Sequence, residues 1–218
     1  MKLYRFRYSG FARKVQMLLD LLQHRYDLIE VPYGDRSELA RLTGGYILVP
    51  VFVADDGGVT VESRRICQQL LVGEAARRLT PAPLEGPIWA YADFCDGPLE
   101  DVLFRIASPA VRDAWAEPFE RALYTLVKER KFGQGCVEHW LATRDSLYAR
   151  ARDLLRPTLA TLEQTPFLFG STATLADAAL YGNLAMLSEG DPELITQLSP
   201  TLRGYMARVE AAARQAAS

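Results

Sequence analysis

The stretch VPVFVADDGGVTVESRRICQQL (49–70) sets a carboxylate beside a hydroxyl, Glu62 and Ser63, where a hairpin gives way to a helical pattern. A helix start offers unpaired backbone N–H groups and the positive end of the helix dipole. Ser63 there can help to hold a carboxylate, and the neighbouring Glu62 can hold an ammonium group. Together they would receive a free amino-acid end with both charges matched. An ordinary serine cap after a solvent-facing glutamate would be spelled the same way. Earlier in the stretch stands Val49-Pro50. A cis bond before proline costs only about 0.5–1 kcal/mol, and it would leave the Val49 backbone free to pair with an extended peptide. The competing reading is a trans proline opening an edge strand. A further hydroxyl, Ser9, sits where the first helical pattern begins.

The elements that must position these groups follow from periodicity. KLYRFRY (2–8) alternates and predicts a strand, with Tyr4, Phe6 and Tyr8 on one face. Ser9-Gly10 breaks it, and Phe11, Val15, Leu18, Leu19 and Leu22 recur at helical spacing, so 11–24 is an amphipathic helix. YDLIEV (26–31) is a second strand, and a short helix over Arg36–Leu42 ends at Gly44-Gly45. VFVA (51–54) and VTVE (59–62) flank the turn signal Asp55-Asp56-Gly57-Gly58. Ser63–Leu71 is again helical. The order is βαβ, a helix, then ββα, and it favours the cis reading of Pro50.

After Gly73 the pattern changes. TPAPLEGP (80–87) holds three prolines and a glycine and reads as a linker. Beyond it no strand is expected. Helical patterns run over about 87–106, 109–130, 137–164, 174–188 and 199–215, with a kink expected at Pro157. The chain therefore divides into an α/β domain over 1–75, a linker over 76–86 and an all-α domain over 87–218.

Composition narrows the function classes. At 49% hydrophobic and 24% charged, the 218 residues are ordinary globular material. A formal net charge of −2 gives no footprint for nucleic acid or an acidic membrane. Three cysteines without CxxC spacing and two distant histidines argue against a disulfide framework and a metal site. No segment approaches the ~20 apolar residues of a membrane span. MKLYRFRYSG has no apolar run of signal-peptide type, so a cytoplasmic protein is expected.

Three motifs resemble the cytosolic glutathione transferases. The 49–70 stretch resembles their glutathione-binding segment, YSGFARKVQMLL (8–19) resembles the entry to the first helix in the serine-using classes, and FLFGSTATLADAAL (167–180) resembles the C-terminal-domain box. The resemblance runs essentially end to end. It implies a thioredoxin-like N-terminal domain followed by an all-α C-terminal helical domain. It also implies glutathione as co-substrate and a homodimer that pairs the small domain of one subunit with the helical domain of the other. By the same resemblance, Val49 and cis-Pro50 would bind the cysteinyl part of glutathione, and Glu62 and Ser63 its γ-glutamyl end. Ser9 would donate to the sulfur as the catalytic residue. Thr174 and Asp177 would form a helix-capping box, a pattern that the residues also spell on their own.

The chain departs from the family's pattern at two places. Gly10 stands where proline usually follows the serine, and Tyr46-Ile47-Leu48 supplies no lysine or glutamine before Pro50. Arg13, Arg36 and Arg41 are the candidates to replace it. The second substrate, a small hydrophobic electrophile, should lie between the domains. Trp89, Tyr91, Phe94, Trp115 and Tyr148 either line that site or simply pack helices. No chemical role is evident for KERKFGQGCVEHW (128–140). The expected reaction is conjugation of the glutathione thiolate. The alternatives are a glutathione-dependent isomerase, lyase or dehalogenase, and a non-catalytic binding module on the same fold.

Overall fold

The computed structural model describes residues 1–215. The α/β part contains β1 (Lys2–Arg5), α1 (Gly10–Leu21), β2 (Asp27–Glu30), α2 (Ser37–Thr43), β3 (Val51–Val53), β4 (Val59–Val61) and α3 (Ser63–Leu70). The strands lie in the order β2-β1-β3-β4. β1 runs parallel to β2 and antiparallel to β3, which pairs antiparallel with β4. This is the thioredoxin-like arrangement expected from the element order.

β1 is shorter than the alternation suggested. It ends at Arg5, and the chain turns so that Ser9 N–H donates to Phe6 O at 3.0 Å. Phe6 and Tyr8 are therefore core side chains of a turn, not of a strand face. As a central strand, β1 is buried on both sides, with Leu3 and Tyr4 both enclosed. Arg5 is also enclosed, held by Glu30 at 2.8 Å.

Beyond β4 the described chain is helical. The segment expected to be a linker carries α4 (Glu74–Leu79) and a 3-10 turn (Ala82–Leu84). α5 (Glu85–Phe94) then runs through a π-helical turn, Cys95–Leu99, into α6 (Glu100–Ala114). The expected break near 106–109 is absent: Pro109 lies inside α6, and the break falls at Trp115. Pro98, which lacks an N–H, sits in the π turn. The Cys95 carbonyl there accepts from Asn183 Nδ2 at 3.0 Å.

α7 (Pro118–Phe132) ends at Gly133, which has φ +100°. The helix expected over 137–164 is two, α8 (Cys136–Ala142) and α9 (Arg144–Leu162), and α9 continues through Pro157. α10 (Leu175–Gly190), α11 (Glu193–Leu198) and α12 (Pro200–Gln215) complete the chain. The 128–140 segment proves to be packing: Phe104, Phe132 and Trp140 form an aromatic cluster across α6, α7 and α8.

α10 is the central post, buried along most of its length. Its start is fixed by Asp177, which is fully enclosed. The Asp177 carboxylate accepts from Thr174 N–H at 2.8 Å, Leu168 N–H at 3.0 Å and Tyr205 O–H at 2.9 Å. α1 packs against α10 at a point of backbone approach. A Cβ on Gly182 would stand 2.5 Å from Gly10 O and 2.6 Å from Lys14 N. Lys14 is buried there and ion-paired with Asp96 in the π turn.

Candidate functional site

The strand register brings the sequence-predicted groups to one end of the sheet. Tyr4 of β1 faces Val51 of β3, and Val51 faces Val61 of β4. The turn after Tyr4 leading to Ser9, the approach to Val51 through Val49 and Pro50, and the exit from Val61 into Glu62 and Ser63 therefore share that end.

The Val49-Pro50 bond is cis. Among the described residues neither the N–H nor the C=O of Val49 has a hydrogen-bond partner. Unpaired backbone at a sheet end is what an extended peptide needs for pairing. Ile47 and Leu48, just before it, are exposed.

Glu62 adopts φ 71° and ψ 118°, a left-handed conformation costly for a residue with a side chain. It accepts from the Tyr46 hydroxyl at 2.8 Å, a link the sequence reading missed. Ser63 is buried at the head of α3, which has no side-chain cap. Its first N–H groups are therefore left for another acceptor. Ser9 caps α1: its Oγ accepts from Ala12 N–H at 3.3 Å, and its own hydrogen is left free to donate.

Of the three arginines considered, Arg36 is the one beside the loop before Pro50. It donates to Ile47 O at 3.4 Å and lies over the Phe6 and Tyr33 rings at 4.8 and 4.9 Å. Arg41 is exposed near Asp35, and Arg13 lies near Asp20 and Tyr181.

Between the two parts of the chain lies a cavity of about 230 Å³. The turn after β1 supplies Phe6 and Tyr8, and the residues after β2 supply Tyr33. Val111 and Trp115 come from the end of α6. Its charged lining is Arg7, Glu30, Glu120 and Glu189. Arg7 pairs with Glu189 at 2.8 Å, and Arg5 with Glu30. Tyr8 lines the cavity and precedes Ser9 in the chain; Ser9 itself is not among the lining residues. Burial pushes the Tyr8 phenol well above its ordinary range, with Tyr33 and Tyr124 adding to the shift. Tyr8 therefore stays protonated.

Of the five aromatics suggested for this site, Trp115 is among the lining residues. Tyr91 shares a hydrogen bond with Thr158 at 2.7 Å and packs on Phe94, while Tyr148 is buried and donates to Leu194 O at 3.3 Å. Trp89 lies under the Arg64 guanidinium at 4.8 Å. Those four pack helices. Lys128, half-buried in α7, stands over Tyr124 at 4.5 Å and Phe104 at 4.8 Å. Burial lowers its pKa to about 8, with Lys131 and Arg36 adding to the effect.

Cys67, Cys95 and Cys136 are free and buried. Burial pushes the Cys67 thiol up to about 11, so it is an inert core group. Among the described residues no cluster of potential metal ligands occurs, and no helix is long and apolar enough to cross a membrane.

Residues 3–76 match the family model for the glutathione S-transferase N-terminal domain, and residues 145–208 match the model for its C-terminal domain. The chain belongs to the glutathione transferase superfamily. Its solved relatives include glutathione transferase GSTFuA3 from Phanerochaete chrysosporium, with 16% identity, TM-score 0.77, and coverage of 97% of this chain and 96% of that one. A glutathione S-transferase of Ceriporiopsis subvermispora, solved in complex with glutathione, has 20% identity and TM-score 0.75, with 98% of each chain covered. One from Xanthobacter autotrophicus Py2 has 21% identity and TM-score 0.63, covering 96% of this chain and 92% of that one. At these identities the likeness is one of fold. No curated protein sequence matches this chain.

Proposed function

We propose that this protein is a serine-using glutathione transferase that conjugates the glutathione thiolate to a small hydrophobic electrophile. The observation that carries the reading is the set of unmet hydrogen-bonding groups at one end of the sheet: the free Val49 backbone beside cis-Pro50, the uncapped start of α3 at Ser63, and the Ser9 hydroxyl. In this reading Val49 pairs with the cysteinyl backbone of glutathione. Ser63 and the α3 N–H groups receive the γ-glutamyl carboxylate, and Glu62 its ammonium. Arg36 takes the glycyl carboxylate in place of the absent lysine.

Ser9 then holds the sulfur as thiolate. An unperturbed thiol has a pKa near ~8.5, and lowering it to about 6.5 takes roughly 2.7 kcal/mol of preferential stabilisation of the anion. A hydrogen bond to a charged group contributes about 1.5–3 kcal/mol, so one hydroxyl at a helix start is sufficient. The sulfur attacks an electrophile held in the interdomain cavity, displacing its leaving group or adding to an activated double bond that then takes up a proton. The reading places glutathione binding in residues 1–75 and the helical domain in 87–218, joined through 76–86, in a cytoplasmic homodimer. Light scattering tests the dimer.

The decisive experiment is retention on immobilised glutathione with elution by free glutathione, followed by turnover of 1-chloro-2,4-dinitrobenzene. Both should be positive. Retention without turnover of this or any isomerisable or dehalogenable substrate would favour a non-catalytic binding module. Neither retention nor turnover would remove the proposal.

A further inference from the structure

Lys128 of α7 is half-buried, and among the described residues its ammonium has neither a carboxylate partner nor an oxygen that accepts a hydrogen bond from it. The rings of Tyr124, Phe104 and Tyr8 lie beside it, with centroids 4.5, 4.8 and 5.9 Å from Nζ. They offset part of the cost of drawing the charge out of water, and leave its N–H groups open. The nitrogen keeps an accessible face, whereas the Tyr33 hydroxyl and Trp115 Nε1 nearby are fully enclosed. Through Tyr8, Lys128 stands beside both the interdomain cavity, which Tyr8 lines, and Ser9, the next residue of the chain. We propose that Lys128 receives an anionic group of the second substrate, so that the electrophile is an acid: an apolar body that carries a carboxylate. The inference rests on the reading of this protein as a glutathione transferase, and names what its second site admits.

A half-buried ammonium without a partner is costly, and a bound anion removes that cost. The charges that face Lys128 favour an anion. Burial lowers its pKa, and two further cations, Lys131 on the same helix and Arg36 from the segment before α2, lower it more. Glu100 of α6 and the Cys136 thiol of α8 act the other way. Yet burial pushes Glu100 up to about 7, so near neutrality it supplies only part of a negative charge. Cys136 is pushed up by burial and supplies none. Arg36 has no carboxylate partner among the described residues either, and donates to Ile47 O. In the proposed binding mode glutathione matches Arg36 with its glycyl carboxylate, and Lys128 is the cation still to be matched. The cavity decides which end of the ligand is charged. Arg5 and Arg7 neutralise Glu30 and Glu189 in its lining, while Glu120 has no ion-pair partner among the described residues. A carboxylate is repelled there, and the walls at Phe6, Val111 and Trp115 suit the uncharged body. The acid therefore projects past Tyr8 towards Lys128.

The test uses stable thioethers shaped like conjugation products. S-(2-carboxyethyl)glutathione is compared with S-(2-carbamoylethyl)glutathione, and S-(4-carboxybenzyl)glutathione with S-(4-carbamoylbenzyl)glutathione. Within each pair the acid and the amide have nearly the same shape and differ in charge, and the pairs reach different distances from the sulfur. Each compound is titrated calorimetrically into the full-length protein, with S-methylglutathione as reference. In at least one pair the acid should bind about 5- to 10-fold tighter than the amide, because a hydrogen bond to a charged group outweighs one between neutral groups. Lys128→Met should abolish that preference by weakening the acid alone, with the amide and S-methylglutathione unchanged. Lys128→Arg should keep most of it. Equal affinities within both pairs in the wild type would overturn the proposal, and so would a preference that survives Lys128→Met. An equal loss for acid, amide and S-methylglutathione in that variant would assign Lys128 to glutathione itself, and would also overturn it. Should Lys128→Met fail to fold, Lys128→Gln takes its place. Binding of S-methylglutathione without any preference for acids would spare the glutathione reading and remove only this inference. Binding of no glutathione derivative would remove both.

Discussion

Ser9 and Gly10 are adjacent in sequence and belong to two regions built on opposite terms. Gly10 opens the α1–α10 seam, where backbones touch and Lys14 is paired with Asp96; Asn183 Oδ1 is left without a partner there, while Asp177 at the head of α10 accepts from Leu168, Thr174 and Tyr205. Ser9 belongs to the open end of the sheet. There Val49 has unpaired backbone groups, α3 starts without a side-chain cap, and Glu62 holds a strained φ. The seam fixes where the open end lies, and the open end keeps the unmet bonding capacity that a ligand can use. Stability and binding therefore fall largely on different residues here, with Ser9, which also caps α1, serving both.

The largest expected effect is on the closely packed side. Asp177→Ala would leave the Leu168 and Thr174 N–H groups and the Tyr205 hydroxyl buried without an acceptor, at about 1–3 kcal/mol each. Removing a buried carboxylate returns some of that energy, because burial already raises its pKa. A net loss of about 3–5 kcal/mol is expected, read as a lower urea midpoint with unchanged slope. An unchanged midpoint would mean that α10 starts elsewhere. Next comes Gly182→Ala, whose Cβ meets Gly10 O and Lys14 N inside 3 Å and should reach or exceed the usual about 1–3 kcal/mol of overpacking. Gly204→Ala is the control, since its Cβ would find nothing nearer than Arg208 Nη1 at 3.7 Å. It should be neutral or gain up to about 1 kcal/mol of helix propensity. Similar midpoints for the two variants would show that close approach does not govern the seam.

How much of this was legible in the sequence depended on the range of the interaction. Pro50, the Asp55–Gly58 turn, the Glu62-Ser63 junction and the Thr174–Asp177 box are spelled within a few residues, and all were read correctly as local structure. The helix end expected near Pro109 was not. Pro109 lies buried inside α6, where the surrounding core outweighs the lost N–H bond, while Pro157 lies inside α9 within the helical pattern expected there. The 76–86 linker looked irregular because of its prolines, while the residues just before them form α4. What no local pattern could show were the long-range pairings: Tyr46 on Glu62, Lys14 on Asp96, and Tyr33 beside Trp115 across the cavity. Each joins residues whose periodicity says only that they are aromatic, charged or half-buried.

On the open side, Ser9→Ala tests the chemistry. Glutathione affinity should be largely kept, because Val49, Glu62 and Ser63 carry the peptide in the proposed mode. The pH profile of turnover should move up by about 1–2 units, and the neutral-pH rate should fall ~10- to 100-fold, since the thiol returns toward its ordinary pKa. Stability should also fall by about 0.5–2 kcal/mol through loss of the cap on α1. The two losses have different readouts. Thiolate absorbance of bound glutathione, titrated against pH, follows only the first. Superimposable titrations in wild type and variant would leave Ser9 as a helix cap alone.

The smallest expected change in stability falls on the open side, where opposing terms meet at Glu62. Glu62 stores strain at φ 71°, worth about 1–3 kcal/mol for a residue with a Cβ. Glycine removes the Cβ share of that strain, but its looser unfolded chain costs about 0.4–1 kcal/mol. The exposed bond from the Tyr46 hydroxyl is also lost, at about 0.5–1.5 kcal/mol. The terms nearly cancel, so Glu62→Gly should change stability by no more than about 1–2 kcal/mol. Glutathione affinity should drop by about 10-fold or more, since the γ-glutamyl ammonium loses its carboxylate. Glu62→Gln separates the two terms. It retains the strained backbone and a hydrogen-bond acceptor for Tyr46, and it removes the charge. It should lose affinity with no gain in stability. If the glycine variant instead loses more stability than those terms allow, the left-handed turn at Glu62 is supported by its own side chain, and the open end of the sheet holds no strain in reserve for a ligand.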